Sequence, residues 1–142
     1  MAVVAKAERF TSTDKKSNLY QDWLTSLPFN NDTKDVSLIT NEDAVKQSIV
    51  NILLTSPGEK LFNSTFGSEI NRLLFENITP QTTASLINLI KMTVENYEPR
   101  ANLLDVVASP LPDQNAYTIT IVFSVINNTE PITLEFLLNR VR

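Results

Sequence analysis

Four glutamates, Glu59, Glu69, Glu76 and Glu98, are the side chains of this sequence best suited to covalent chemistry, because it contains no histidine and no cysteine. Two such carboxylates held about 5 to 9.5 Å apart could act as the acid and base of glycoside hydrolysis. Other reaction classes lack their parts. Without histidine or cysteine there is no serine–histidine or cysteine–histidine catalysis, no disulfide framework and no zinc–thiolate site. Only two glycines occur, Gly58 and Gly67, so no glycine-rich loop exists to cradle a phosphate. The carboxylate signal is itself weak, since an acidic domain offers such pairs by chance. Glu59 follows a turn, and Glu69 falls in the first turn of a predicted helix, where negative charge is mildly stabilising. The expectation is a chain with no catalytic residue, no metal and no cofactor.

Charge and hydropathy narrow the partners. The net charge is −4, and Lys15-Lys16 is the longest basic run, which disfavours nucleic acid, whose binders cluster Lys and Arg against phosphates. No stretch approaches the roughly 20 apolar residues of a membrane span. The start, Met1 to Phe10, is broken by Lys6, Glu8 and Arg9, so no cleaved targeting peptide is expected. A chain of 142 residues suits one domain that buries a sizeable core without staples.

Periodicity gives the elements that must position these side chains. Residues 1–35 are polar and loop-like, with apolar anchors Leu19, Tyr20, Trp23, Leu24 and Phe29, and are expected to form a partly extended arm. That arm either folds back on its own domain or packs on a neighbour, since Trp and Tyr are enriched at interfaces. Residues 36–142 are expected to form a single α+β domain. A first helix is predicted over 41–55, capped by Thr40 or Asn41, with Val45, Ile49, Ile52 and Leu53 on one face. A shorter helix is predicted over 68–75, with Ile70, Leu73 and Leu74 inward. A third begins with Thr79 as N-cap and Pro80 at its first position, carries Ile87, Ile90, Val94 and Tyr97 as a stripe, and ends at Pro99. The period then changes to two. Strands are expected over 102–108, over 117–125 and from Ile132 to the end, with turns at Ser109–Asn115 and Asn127–Glu130. The fold class is therefore α+β: a three-helix half packed on a small antiparallel sheet of the C-terminal strands.

Two clusters stand out on that frame. Pro57, Gly58, Glu59, Phe62, Phe66, Gly67 and Phe75 read as a helix–loop–helix corner. Both glycines lie where the linker must fold tightly, with the phenylalanines wedged beneath. Glu98-Pro99-Arg100 joins the helical half to the sheet. There Arg100 either caps the carbonyls of the preceding helix or presents its guanidinium fork to a partner.

In order along the chain, Ala44-Val45-Lys46-Gln47-Ser48-Ile49, Thr55-Ser56-Pro57-Gly58-Glu59-Lys60-Leu61-Phe62, Phe66-Gly67, Leu74-Phe75-Glu76, Tyr97-Glu98-Pro99-Arg100 and Asn139-Arg140-Val141-Arg142 resemble one family. It is the small baseplate wedge subunits of contractile-tailed phages, the sheath initiators, related to a baseplate subunit of type VI secretion. The resemblance covers most of the chain from about Asp43 onward. It implies a structural virion protein of the tail baseplate, assembled in the host cytoplasm. Its implied partners are larger baseplate wedge subunits and the tail sheath protein, with tail tube or hub proteins as further candidates. It implies that Glu98, Pro99 and Arg100 dock on the larger wedge subunits. The C-terminal strand, through Ile132, Leu134, Phe136, Leu138, Arg140 and Arg142, would start sheath polymerisation by strand exchange. From the residues alone, a terminal strand is expected to be a sheet edge, and an edge offers unpaired backbone groups to a partner strand. The alternatives are a carboxylate-dependent muramidase, a label sometimes attached to this family, and the equivalent subunit of a type VI secretion or extracellular injection system.

Overall fold

The computed structural model describes residues 19–31, 34–126 and 128–139. Four short strands come first, β1 (Gln21–Trp23), β2 (Phe29–Asn30), β3 (Asp35–Val36) and β4 (Leu38–Thr40), followed by α1 (Asn41–Leu54), α2 (Ile70–Leu74) and α3 (Pro80–Tyr97). Three long strands close the order: β5 (Ala101–Leu111), β6 (Ala116–Val125) and β7 (Asn128–Asn139). The last three make an antiparallel meander with β6 in the middle, and the helices pack against one of its faces. This is the α+β architecture that the change of period predicts.

α3 starts where its two signals coincide. Thr79 Oγ1 accepts the Thr82 N–H at 3.1 Å while Pro80 fills a position whose missing N–H costs nothing. Its buried face is Leu86, Ile90, Thr93 and Val94, at i, i+4, i+7 and i+8. The stripe is thus rotated from the predicted one: Ile87 and Tyr97 flank it half-buried, and Leu86 takes the central place. α1 buries Val45, Ile49, Ile52 and Leu53 as its period requires. α2 is shorter than predicted: Glu69 is its N-cap without a side-chain bond, and Ser68, one residue further out, accepts the Ile70 N–H on its Oγ at 3.2 Å.

The sheet differs from the sequence reading at both turns. β5 runs on through Pro110 to Leu111, since β5 is an edge and an edge strand tolerates a residue without an N–H. The reversal is then a short 3-10 turn, Pro112–Gln114, closed by Asn115 in the left-handed region. β7 already begins at Asn128, which is in register with Val125, so the second reversal is tighter than Asn127–Glu130. The inward residues of β6, namely Tyr117, Ile119, Ile121, Phe123 and Val125, are all buried, and they meet Val106 and Ala108 on one side and Leu134, Phe136 and Leu138 on the other.

Among the described residues the hydroxyl of buried Tyr117 has no hydrogen-bond partner. Removing an unsatisfied buried polar group at constant shape relieves its desolvation penalty. Tyr117→Phe should therefore raise stability by about 1 kcal/mol in a urea titration.

The described part of the arm folds back on its own domain. β1 pairs with β4, Trp23 opposite Leu38, and β2 pairs with β3. Helix α1 holds it through side chains: Asn41 Oδ1 accepts the Leu19 N–H at 2.9 Å, while the Gln47 amide takes Thr25 N–H at 3.0 Å and donates to Trp23 O at 2.8 Å.

Candidate functional site

The ionic centre of the molecule forms where α3 hands over to β5. The backbone turns so sharply at Pro99 that Arg100 reaches back onto Glu98: Nε donates to Oε1 at 2.6 Å, Nη2 to Oε2 at 2.7 Å, and the Arg100 backbone N–H also points to Oε1 at 3.3 Å. This is a two-pronged, charge-assisted pair. The fork grips Glu98 rather than the carbonyls of the preceding helix, because the carboxylate lies closer and carries full charge. Glu98 is 2% exposed, while the Arg100 side chain keeps 31% of its surface. Burial pushes the Glu98 carboxyl upward most strongly of any single influence. Hydrogen bonds from Arg100 and Ser48, with the Arg100 charge, together exceed it and hold the group below the usual carboxylate range. In return the Glu98 carboxylate keeps the guanidinium charged. The Tyr20 ring packs 5.5 Å from the guanidinium carbon, a cation–π distance. Among the described residues nothing accepts from Nη1.

Sequence reasoning missed Tyr20 and Ser48 here. Ser48 is the one with a readable signal, since it sits one residue from Ile49 at the flank of the α1 apolar face. Tyr20 had none, because the contact depends on the arm folding back.

The corner between α1 and α2 is built by backbone demands. Ser56-Pro57-Gly58-Glu59 is a tight turn in which the Glu59 N–H reaches Ser56 O at 3.1 Å, and Gly58 takes φ +91, as proline and then glycine favour. The Glu59 carboxylate returns the bond, accepting the Ser56 N–H at 2.8 Å. At the other end Gly67 (φ +120) passes so close to Thr55 that an added Cβ would collide with the Thr55 carbonyl oxygen. That approach lets the Ser68 N–H reach Thr55 O at 2.8 Å and the Ser68 hydroxyl reach Leu53 O at 3.0 Å, satisfying carbonyls left over at the end of α1. The aromatic residues differ from expectation. Phe66 is half-buried edge-on against Tyr97, but Phe62 and Phe75 are exposed. The Gly58 turn and the close approach at Gly67 close the corner by backbone alone, with both rings left at the surface.

β7 is an edge of the sheet, as a terminal strand should be. Its inward side chains, however, serve the domain itself: Leu138 is part of the core, and Ile132, Leu134 and Phe136 pack against it. Leu138 is thus wholly committed to the domain's own core, and the other three in part. The strand presents its backbone edge and the outward residues Thr133, Glu135 and Leu137. Arg140 and Arg142 lie outside the described residues.

The candidate carboxylates are placed by other demands: Glu69 and Glu76, both exposed to solvent, share a shallow cavity with Arg72. Glu59 is occupied in its turn, and Glu69 pairs with Arg72 at 3.5 Å on the surface. Glu98, the one buried carboxylate among the described residues, is held charged, the opposite of what a general acid needs. Among the described residues no three His, Cys, Asp or Glu side chains gather where a metal could bind, and no helix is long and apolar enough to cross a membrane.

The described residues thus combine an open sheet edge at one end with a braced arginine corner at the helix–sheet junction, in a fold of structural rather than catalytic character. A family model described as "Baseplate wedge protein gp25" matches residues 40–130. The chain is 37% identical to the baseplate wedge protein gp25 of Enterobacteria phage T4 over 99 residues, covering 70% of this chain and 75% of that one. The chain belongs to the baseplate wedge gp25 family; it is a structural component of a contractile tail baseplate and not an enzyme. Two solved structures agree in fold. A Geobacter sulfurreducens protein described as a tail lysozyme shares 27% identity at a TM-score of 0.67, over 73% of this chain and 96% of its own. A chain of the anti-feeding prophage baseplate shares 27% identity at a TM-score of 0.61, over 87% of each.

Proposed function

We propose that residues 36–142 dock on the larger wedge subunits through Glu98-Pro99-Arg100 and offer the β7 edge to the first tail sheath ring, which grows from it by strand addition, while residues 1–35 act as an arm. The contrast between the two sheet edges carries this reading. β5 carries a bulge at Leu104 and a proline, Pro110, within its body, whereas the proline and register break of β7 are confined to its first residues, before Ile132, and Ile132 to Asn139 pair in regular register. A solitary protein gains by disrupting such an edge. A protein that seeds a polymer can use it. At the other contact, the residual Arg100 surface and the open Nη1 suit a partner carboxylate or carbonyl.

Removing residues 137–142 would not test the strand, because Leu138 is buried core. The cleaner variant carries Thr133→Lys and Leu137→Lys, which place charge beside the edge and leave the core untouched. It should melt as the wild type does and enter baseplates, yet those baseplates should lack sheath in electron micrographs. Normally sheathed tails would rule the strand out.

A further inference from the structure

We propose that Leu61 and Phe62 form an apolar knob that inserts into a socket on the same larger wedge subunit that receives Arg100. This rests on the docking reading above and extends it to a second contact. Leu61 is 81% exposed and Phe62 107%, more than in an extended chain. Two consecutive large apolar side chains left this exposed contribute little burial to the fold. Phe62 moreover adopts φ +65, a left-handed conformation that bulky residues avoid and that persists only when the surroundings impose it.

The surroundings do impose it. On one side the knob follows the Ser56–Glu59 turn; on the other, Asn63 N–H reaches Lys60 O at 3.3 Å and Phe66 N–H reaches Asn63 O at 3.3 Å. Lys60 lies 3.9 Å over the Phe66 ring, which in turn meets Tyr97. The Tyr97 hydroxyl donates to Thr65 O. A side chain presented on so constrained a loop loses little freedom on binding, which is the property of an interface anchor. Tyr97 also immediately precedes Glu98, so the residue that fastens the knob's loop adjoins the arginine corner in the chain. That continuity is why a single partner is assigned to both.

The test measures binding of the purified full chain to the purified larger wedge subunits. Phe62→Asn should weaken binding about thirty-fold, the size of a hot-spot truncation, and should leave the melting temperature equal or higher, because Asn accepts positive φ. Leu61→Ser, which does not touch the strained backbone, should weaken binding about ten-fold with no change in melting. Arg100→Lys runs alongside to report on the docking corner. If both knob variants bind like the wild type while Arg100→Lys is impaired, the knob is wrong and the docking reading stands. If Arg100→Lys also binds normally, the docking reading itself falls. A knob variant that lowers the melting temperature in step with binding assigns these residues to the fold and overturns the proposal.

Discussion

Arg100→Ala should destabilise the isolated chain by roughly 2 to 4 kcal/mol, because it leaves the Glu98 carboxylate buried without its partner. The lower end allows for the part of Arg100 that water still reaches. Truncation to alanine consequently confounds folding with docking. Replacing both members, as in Glu98→Met with Arg100→Met, should recover most of the loss, since an apolar pair of similar volume carries no stranded charge. The double variant should still fail to join the wedge. The pair also sets a pH dependence. The Glu98 pKa is lowered in the fold, so its contribution is fully present above the ordinary carboxylate value of 4.5 and disappears as the pH falls below that through the lowered value. Urea titrations at pH 7 and pH 3 should show the wild type losing more stability on acidification than the double variant. Equal losses would mean that the pair is not what acid breaks.

Gly67→Ala is the second large effect, roughly 3 to 5 kcal/mol, from positive-φ strain and a backbone collision acting together. The new methyl would meet the Thr55 carbonyl, and relieving that contact pulls Ser68 away from the end of α1. Gly58→Ala is the control. Its φ is also positive, but nothing lies within 4 Å of the added carbon, so only about 1 to 2 kcal/mol of conformational strain remains. If the two variants melt together, the close approach at Gly67 is not holding the corner.

The parts of the fold that follow from a local signal were legible in the sequence. Thr79-Pro80 fixed the start of α3, the 3.6-residue period found the α1 face, and alternation from Tyr117 to Val125 found the central strand. Other features depend on what lies across from them. Pro110 reads as a breaker, yet it belongs to a strand because that strand is an edge. Strands β1 to β4 are two or three residues long, too short for any period, and exist because Asn41 and Gln47 catch the returning arm. The site divides in the same way. Glu98-Pro99-Arg100 was visible as a cluster, but that Glu98 would be buried was not, since a glutamate before a proline reads as surface. Phe62 misleads for the opposite reason: an aromatic between two glycines suggests core, and only the closure of the corner turns it outward.

The hairpin that ends the chain is also fastened from behind, where Asn128 Nδ2 donates to Glu42 Oε1 at the start of α1, 2.8 Å away. Tension applied lengthwise to β7 would therefore load the regular part of its ladder to β6, from Ile132 to Asn139, in shear, many rungs at once, and pass through this rivet into the helical body. If the sheath grows from that strand as proposed, its contraction would meet a mooring, where a crosswise tug would open the same ladder like a zip.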